Sequence, residues 1–151
     1  FWTMGSFGGA NWDLLAPAVL IISISIFFLI GISRKLDLLQ LGEDEANRLG
    51  VNVKNLKLKV VVLSAVIVGV SVSLSGIIGF VGLVIPHVVR LLGGVKHKYV
   101  LFGSVLLGAS IMITADLISR TLILPAELPV GLVTSAIGAP FFLWLIFKIR
   151  T

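Results

Sequence analysis

Apolar positions run along this chain in long uninterrupted blocks. Residues 14–32 hold 19 positions without a charge. Residues 99–118 form a second block broken by one acid, Asp116, and residues 130–147 form a third, introduced by Pro129 and closed by Lys148 and Arg150. About 20 residues at 1.5 Å each cross a hydrocarbon core, so each block predicts a membrane-spanning helix, with Pro17 tolerated in the first turn of its helix.

The block over residues 60–85 is longer, 26 residues without a charge. As one helix it would measure about 39 Å against a core of roughly 30 Å. It is one tilted helix, or a helix that turns near Ser73-Leu-Ser-Gly76 and comes back. Charge placement discriminates. Basic residues gather at 34–59, at Arg90, Lys96 and Lys98, and at Lys148 and Arg150. A turn near 75–79 puts all three groups on one side of the membrane, as the positive-inside bias favours. Residues 80–92 then form a short returning helix, with Pro86 helping to set its start. Its irregular entry is tolerable only where protein or a cavity surrounds it. Gly76, Gly79 and Gly82 recur at the spacing of close helix contact.

The pattern predicts an all-α membrane bundle in one domain over 1–151, with spans over 14–33, 58–75, 98–120 and 130–148 and the short helix over 80–92. Composition agrees. Of 151 residues, 58% are hydrophobic and 13% charged, with a mean hydropathy of +1.14; a soluble domain carries about 25% charged residues. The net charge of +5 therefore reports topology, and nothing in it asks for a nucleic-acid partner. There is no cysteine, which excludes disulfides and thiolate metal sites. The chain opens at Phe1 with no basic segment ahead of a short apolar one, and reads as part of a longer protein that begins midway.

The polar connector over 34–59, with the loop proper over 34–57, is long for a mere link. Glu43, Asp44 and Glu45 open a short helix, where acids suit the positive dipole end. Gly50 can stop it in the left-handed conformation, and Asn52 can cap a second short turn. Leu41, Ala46, Leu49 and Val51 offer a small apolar face. Two readings stand: a helix that docks a cytoplasmic partner, or a loop lying on the membrane surface.

Asp116 and Arg120 are four apart and can pair on one helix face; they are either a functional pair or a local ion pair at the membrane edge. Glu127, between Pro125 and Pro129, is suited to capping the last helix. His87 and Arg90 share a face of the short helix, and the only other histidine is His97. A metal site wants further His or carboxylate ligands at helical spacing, and no such pattern, nucleophile motif or phosphate-binding loop is present. The residues support no metal and no catalytic group.

The segments GFVGLVIPHVVRLLGGVKHK (79–98) and LLGASIMITADLISRTLILPAELPVGLVTSAIGAPFFLWLIFK (106–148) closely resemble the C-terminal half of FecCD-type permeases. MGSFGGANW (4–12) and LGEDEANRLGVNV (41–53) match the same family in order and spacing. The resemblance implies the ten-helix fold of type II ABC importer permeases, of which this chain would hold helices six to ten. Such permeases are multi-pass proteins of the bacterial or archaeal cytoplasmic membrane that carry ferric siderophores, haem or vitamin B12 by alternating access. They pair as homodimers or with a homologous permease, bind two cytoplasmic ABC ATPases that use ATP and Mg, and receive cargo from a periplasmic or lipid-anchored binding protein. No cofactor is implied for the chain itself.

The resemblance further implies that Leu41, Gly42, Glu43, Asp44, Ala46, Arg48, Leu49, Gly50 and Val51 belong to coupling helices that enter a cleft of the ATPase. Arg120 would pair with a glutamate of the binding protein, oriented by Asp116. Gly131, Thr134, Ser135 and Gly138 would line the pathway. Two other readings remain at this level: a membrane haem-binding or redox subunit using His87 and His97, and a truncated fragment that docks an ATPase without transporting.

Overall fold

The computed structural model describes residues 5, 7–8, 11–121 and 129–149. Six helices follow one another: α1 (Trp12–Leu39), α2 (Glu43–Arg48), α3 (Val53–Ser75), α4 (Val81–Gly93), α5 (His97–Thr121) and α6 (Val130–Ile149). No strand occurs among the described residues. α1, α3 and α5 are each long and apolar enough to cross a membrane. The backbone of α6 is helical for 20 residues. α1 lies along α3 and α4 along α5, while α5 touches α1 and α6.

The connector expected over 34–57 is largely helical. α1 continues through Leu39, because Ile32, Leu36, Leu38 and Leu39 pack on a small apolar core formed by Ala46, Val51, Val53 and Leu56. α3 starts at Val53, where the Asn52 side chain accepts from the Asn55 amide at 3.0 Å. Asn52 therefore caps a long helix rather than a short turn. Asn52→Ala should cost about 1 kcal/mol, read as a lower unfolding temperature of the protein in detergent. Pro17 also moves: α1 begins at Trp12, so the proline falls in the second turn and withholds the amide that would reach the carbonyl of Asp13.

α3 stops at Gly76, whose φ is 71°, a conformation open to glycine. α4 begins after Phe80. The Gln40 amide nitrogen donates to the Val95 carbonyl, 3.1 Å away, just past the end of α4. The end of α4 thus returns to the end of the bundle where α1 finishes and α3 starts, and the chain turns between residues 75 and 81. Arg90, Lys96 and Lys98 consequently share that end with Arg34, Lys35, Lys54, Lys57 and Lys59.

Pro86 does not set the start of α4; it is the sixth residue of that helix. The start is set by a tight three-residue turn in which the Val81 amide donates to the Gly79 carbonyl at 2.8 Å. Its central residue, Phe80, has φ 64° and ψ −35°, close to the rare and strained γ-turn. Packing holds it there: a methyl group on Gly138 of α6 would lie 2.4 Å from the Phe80 Cβ.

Of the glycines expected at close helix contact, Gly79 approaches Ser135 of α6, and the tightest approaches fall on others. Gly82 has open space around it, whereas Gly103 lies against Val89 and Gly93 lies under the Tyr99 ring. Hydroxyls buried between helices bond to their own backbones: Ser25 to the Ile21 carbonyl at 2.9 Å, Ser33 to Ile30 at 2.7 Å and Ser119 to Asp116 at 2.9 Å. Small side chains satisfied in this way let helices approach without a polar penalty.

Candidate functional site

The elbow joining α1 to α3 is built to hold α2 in one orientation. Gly42 enters it at φ 111° and Gly50 leaves it at φ 84°. The Gly50 amide donates to the Asn47 carbonyl and the Val51 amide to the Ala46 carbonyl, both at 3.0 Å. These are the two bonds of a Schellman stop, and the apolar contact that accompanies it is Ala46 with Val51. Ala46 is 0% exposed and Val51 nearly as deep. Both were expected on an outward apolar face. They are inside it, because the six-residue α2 has no other means of closing its inner side. Lys57 of α3 pairs with Glu43 at the start of α2, and Arg48 lies 4.0 Å from Glu45. Such exposed pairs contribute little individually.

Leu41 and Leu49 remain outside, 65% and 55% exposed, with Asp44 and Arg48 exposed beside them. An open groove of about 660 Å³ runs along the elbow between Glu43, Asn47, Lys54 and Lys57. The elbow thus presents two large apolar side chains and a mixed set of charges on a support with its own core. That is the chemistry of a protein-docking surface.

At the far end of α5, the Arg120 Nε donates to Asp116 Oδ2 at 2.9 Å. The arginine side chain is 46% exposed and sits in the last turn, where a cation suits the helix dipole. Glu127 lies outside the described residues.

On α6, Gly131, Thr134 and Gly138 are buried and Ser135 is half-buried. The Thr134 hydroxyl donates to the Gly131 carbonyl at 3.1 Å. Gly138 faces Phe80, and Gly79 approaches the Ser135 hydroxyl. The small-residue face of α6, expected to line a pathway, is thus packed inside the chain against the turn that leads into α4.

His87 is half-buried on α4. His97 is engaged: its backbone amide and its ring Nδ1 both meet Asp37 Oδ1, at 2.8 and 2.7 Å. Among the described residues no group of three or more His, Asp or Glu is arranged to hold a metal. Neither Asp37 nor Gln40 stood out in the sequence. The available signal was that α5 opens after Lys96, which cannot cap a helix, so its first amides required an acceptor from elsewhere.

Comparison with known proteins bears on the chain as a whole. The chain is 50% identical over 150 residues to the hemin transport system permease protein HmuU of Yersinia pestis, covering 99% of this chain and 45% of that protein. It is 42% identical over 148 residues to the vitamin B12 import system permease protein BtuC of Vibrio parahaemolyticus, covering 98% of this chain and 44% of that one. The chain spans about half the length of the curated relatives it matches. A solved structure described as an inward-facing metal-chelate type ABC transporter superimposes with a TM-score of 0.92 at 40% identity, covering 98% of this chain and 48% of that one. Residues 1–148 match the family model of the FecCD transport family, and the chain belongs to that family.

Proposed function

We propose that this chain forms about half of the membrane permease of an ABC importer that carries haem, another iron chelate or vitamin B12 across a bacterial cytoplasmic membrane. The observation that carries this is the match, along nearly the whole chain, to permeases of haem and vitamin B12 systems. The elbow supports it, with Leu41 and Leu49 displayed on a self-supporting core.

In this reading α2 sits in a cleft of a cytoplasmic ATPase. Leu41 and Leu49 anchor it, and Asp44, Arg48 and Glu43 meet polar groups at the rim. ATP binding closes the ATPase pair, the elbow moves, and the helices switch the pathway between its two openings. A second permease subunit completes the pathway; Gly131, Thr134, Ser135 and Gly138, packed inside the chain, act on it only by setting how closely α6 approaches its neighbours. The chain supplies no covalent chemistry; the partner hydrolyses ATP.

The full-length permease, reconstituted in liposomes with its ATPase and binding protein, tests the proposal. ATP-driven uptake of haem, a ferric siderophore or vitamin B12 is the expected result. A purified permease that shows a Soret band lost on His87→Ala, and no uptake of any cargo, would overturn it in favour of a haem-binding role.

The Arg120 end is proposed as the landing point of the binding protein, with Asp116 holding the guanidinium in place. Arg120→Glu reverses the charge presented there, and like charges across an interface oppose docking. Affinity for the loaded binding protein should fall roughly tenfold or more. An unchanged affinity excludes the assignment.

A further inference from the structure

The polar cluster between α1 and the α4–α5 turn has no part in the function as stated so far. Asp37 lies in the last turns of α1, shortly before the chain enters α2. Its Oδ1 accepts from the first amide of α5, at His97, and meets the His97 Nδ1. An ionised carboxylate only accepts, so Nδ1 carries the hydrogen and donates to it. Gln40 then donates its amide to the Val95 carbonyl.

Asp37 therefore does for α5 what a local Asn or Ser does elsewhere: it satisfies an orphan amide and places negative charge at the positive end of the helix dipole. It does so from a different helix. Two donors on one residue converge on one oxygen, which sets the direction of α5 as well as its distance from α1. Together with Gln40 Nε2, which also lies 3.1 Å from the His97 Nδ1, these are the side-chain polar contacts that join the elbow end of α1 to the α4–α5 turn among the described residues. On its other side the elbow is fastened to α3 by the apolar core and by Lys57–Glu43.

We infer that the Asp37–His97 clasp is a positioning element that carries displacement of the α2 elbow into α4 and α5, so that the base of α5 moves with the elbow as one body. This rests on the proposed function, since it names the route by which the ATPase stroke enters the bundle. α5 then acts as a lever of 25 residues, its far end bearing the Asp116–Arg120 pair.

The test uses the full-length permease with its ATPase and binding protein in liposomes, measuring cargo transported per ATP hydrolysed. Asp37→Ala should lower that ratio several-fold while the ATPase still copurifies and affinity for the binding protein holds. Asp37→Asn, which keeps the size and one acceptor, should fall between. Cysteines at both positions should lower the ratio when reduced and restore it when joined by a short bis-thiol reagent. A merely local structural role predicts no such rescue. An unchanged ratio in Asp37→Ala, or a linked pair that stays uncoupled, overturns the clasp. Wild-type permease with no ATP-driven transport overturns the function itself.

Discussion

Leu49→Asp should detach the ATPase proposed to dock at α2 while leaving the permease folded. Leu49 is more than half exposed and makes no part of the elbow core, so its replacement leaves the internal packing alone. In the complex it would be buried. Losing a buried leucine removes about 1.5–3 kcal/mol, and placing an unpaired carboxylate in the same pocket adds a desolvation cost. Together these weaken the complex by roughly 100-fold or more. Copurification of the ATPase with tagged permease reads the outcome, and retention at the wild-type level would remove Leu49 from the interface. Ala46→Asp is the contrasting variant. It also loses the ATPase, but by putting a charge into the 0%-exposed centre of the elbow. Faster backbone hydrogen exchange over residues 43–56 should then accompany the loss in Ala46→Asp and be absent in Leu49→Asp.

Gly138→Ala should destabilise the bundle because the added methyl would sit 2.4 Å from the Phe80 Cβ. Neither side yields easily. Phe80 is already in a γ-turn that bulky residues avoid, and α6 is held against α4 and α5. Overpacking of this kind costs about 1–3 kcal/mol, seen as a lower unfolding temperature of the permease in detergent. Phe80→Gly alone loses the ring but relaxes the turn. The two changes together should cost at least about 1 kcal/mol less than their sum, since the second removes the atom that the first strikes. Strict additivity would mean that the two residues do not meet.

The apolar blocks and charge positions are enough to read an all-helical bundle and a chain that turns back near residue 76, because lipid allows few alternatives and basic residues partition to one side. α2 was legible from its acids and from Gly50, whose positive φ ends the helix. What escaped lies in contacts between segments far apart in sequence. Ala46 and Val51 look as exposed as Leu41 and Leu49 until Leu56 and Leu36 are folded over them. The continuation of α1 to Leu39 depends on the same core. Pro86 drew attention as a helix starter, whereas the turn is made by Phe80, a residue that no propensity would put at positive φ. Asp37 and His97 are 60 positions apart, and only the fold makes one the cap of the other.

The core under α2 has a consequence for how the whole assembly responds to its surroundings. Ala46, Val51, Val53 and Leu56 form a packed apolar cluster at the basic end of the bundle, whereas the most apolar stretch of α3 has none of its residues buried within the chain. The long helices bury little against their own chain and, in the proposed permease, would owe their place to lipid and neighbouring protein; the elbow owes its shape to the exclusion of water. Apolar burial weakens on cooling and in urea, while backbone bonds sheltered by hydrocarbon do not depend on it in the same way. In the proposed importer the elbow is accordingly a clutch set in the aqueous phase. Cold or mild urea should slip it, leaving the permease intact in its membrane and deaf to the ATPase proposed to sit beside it.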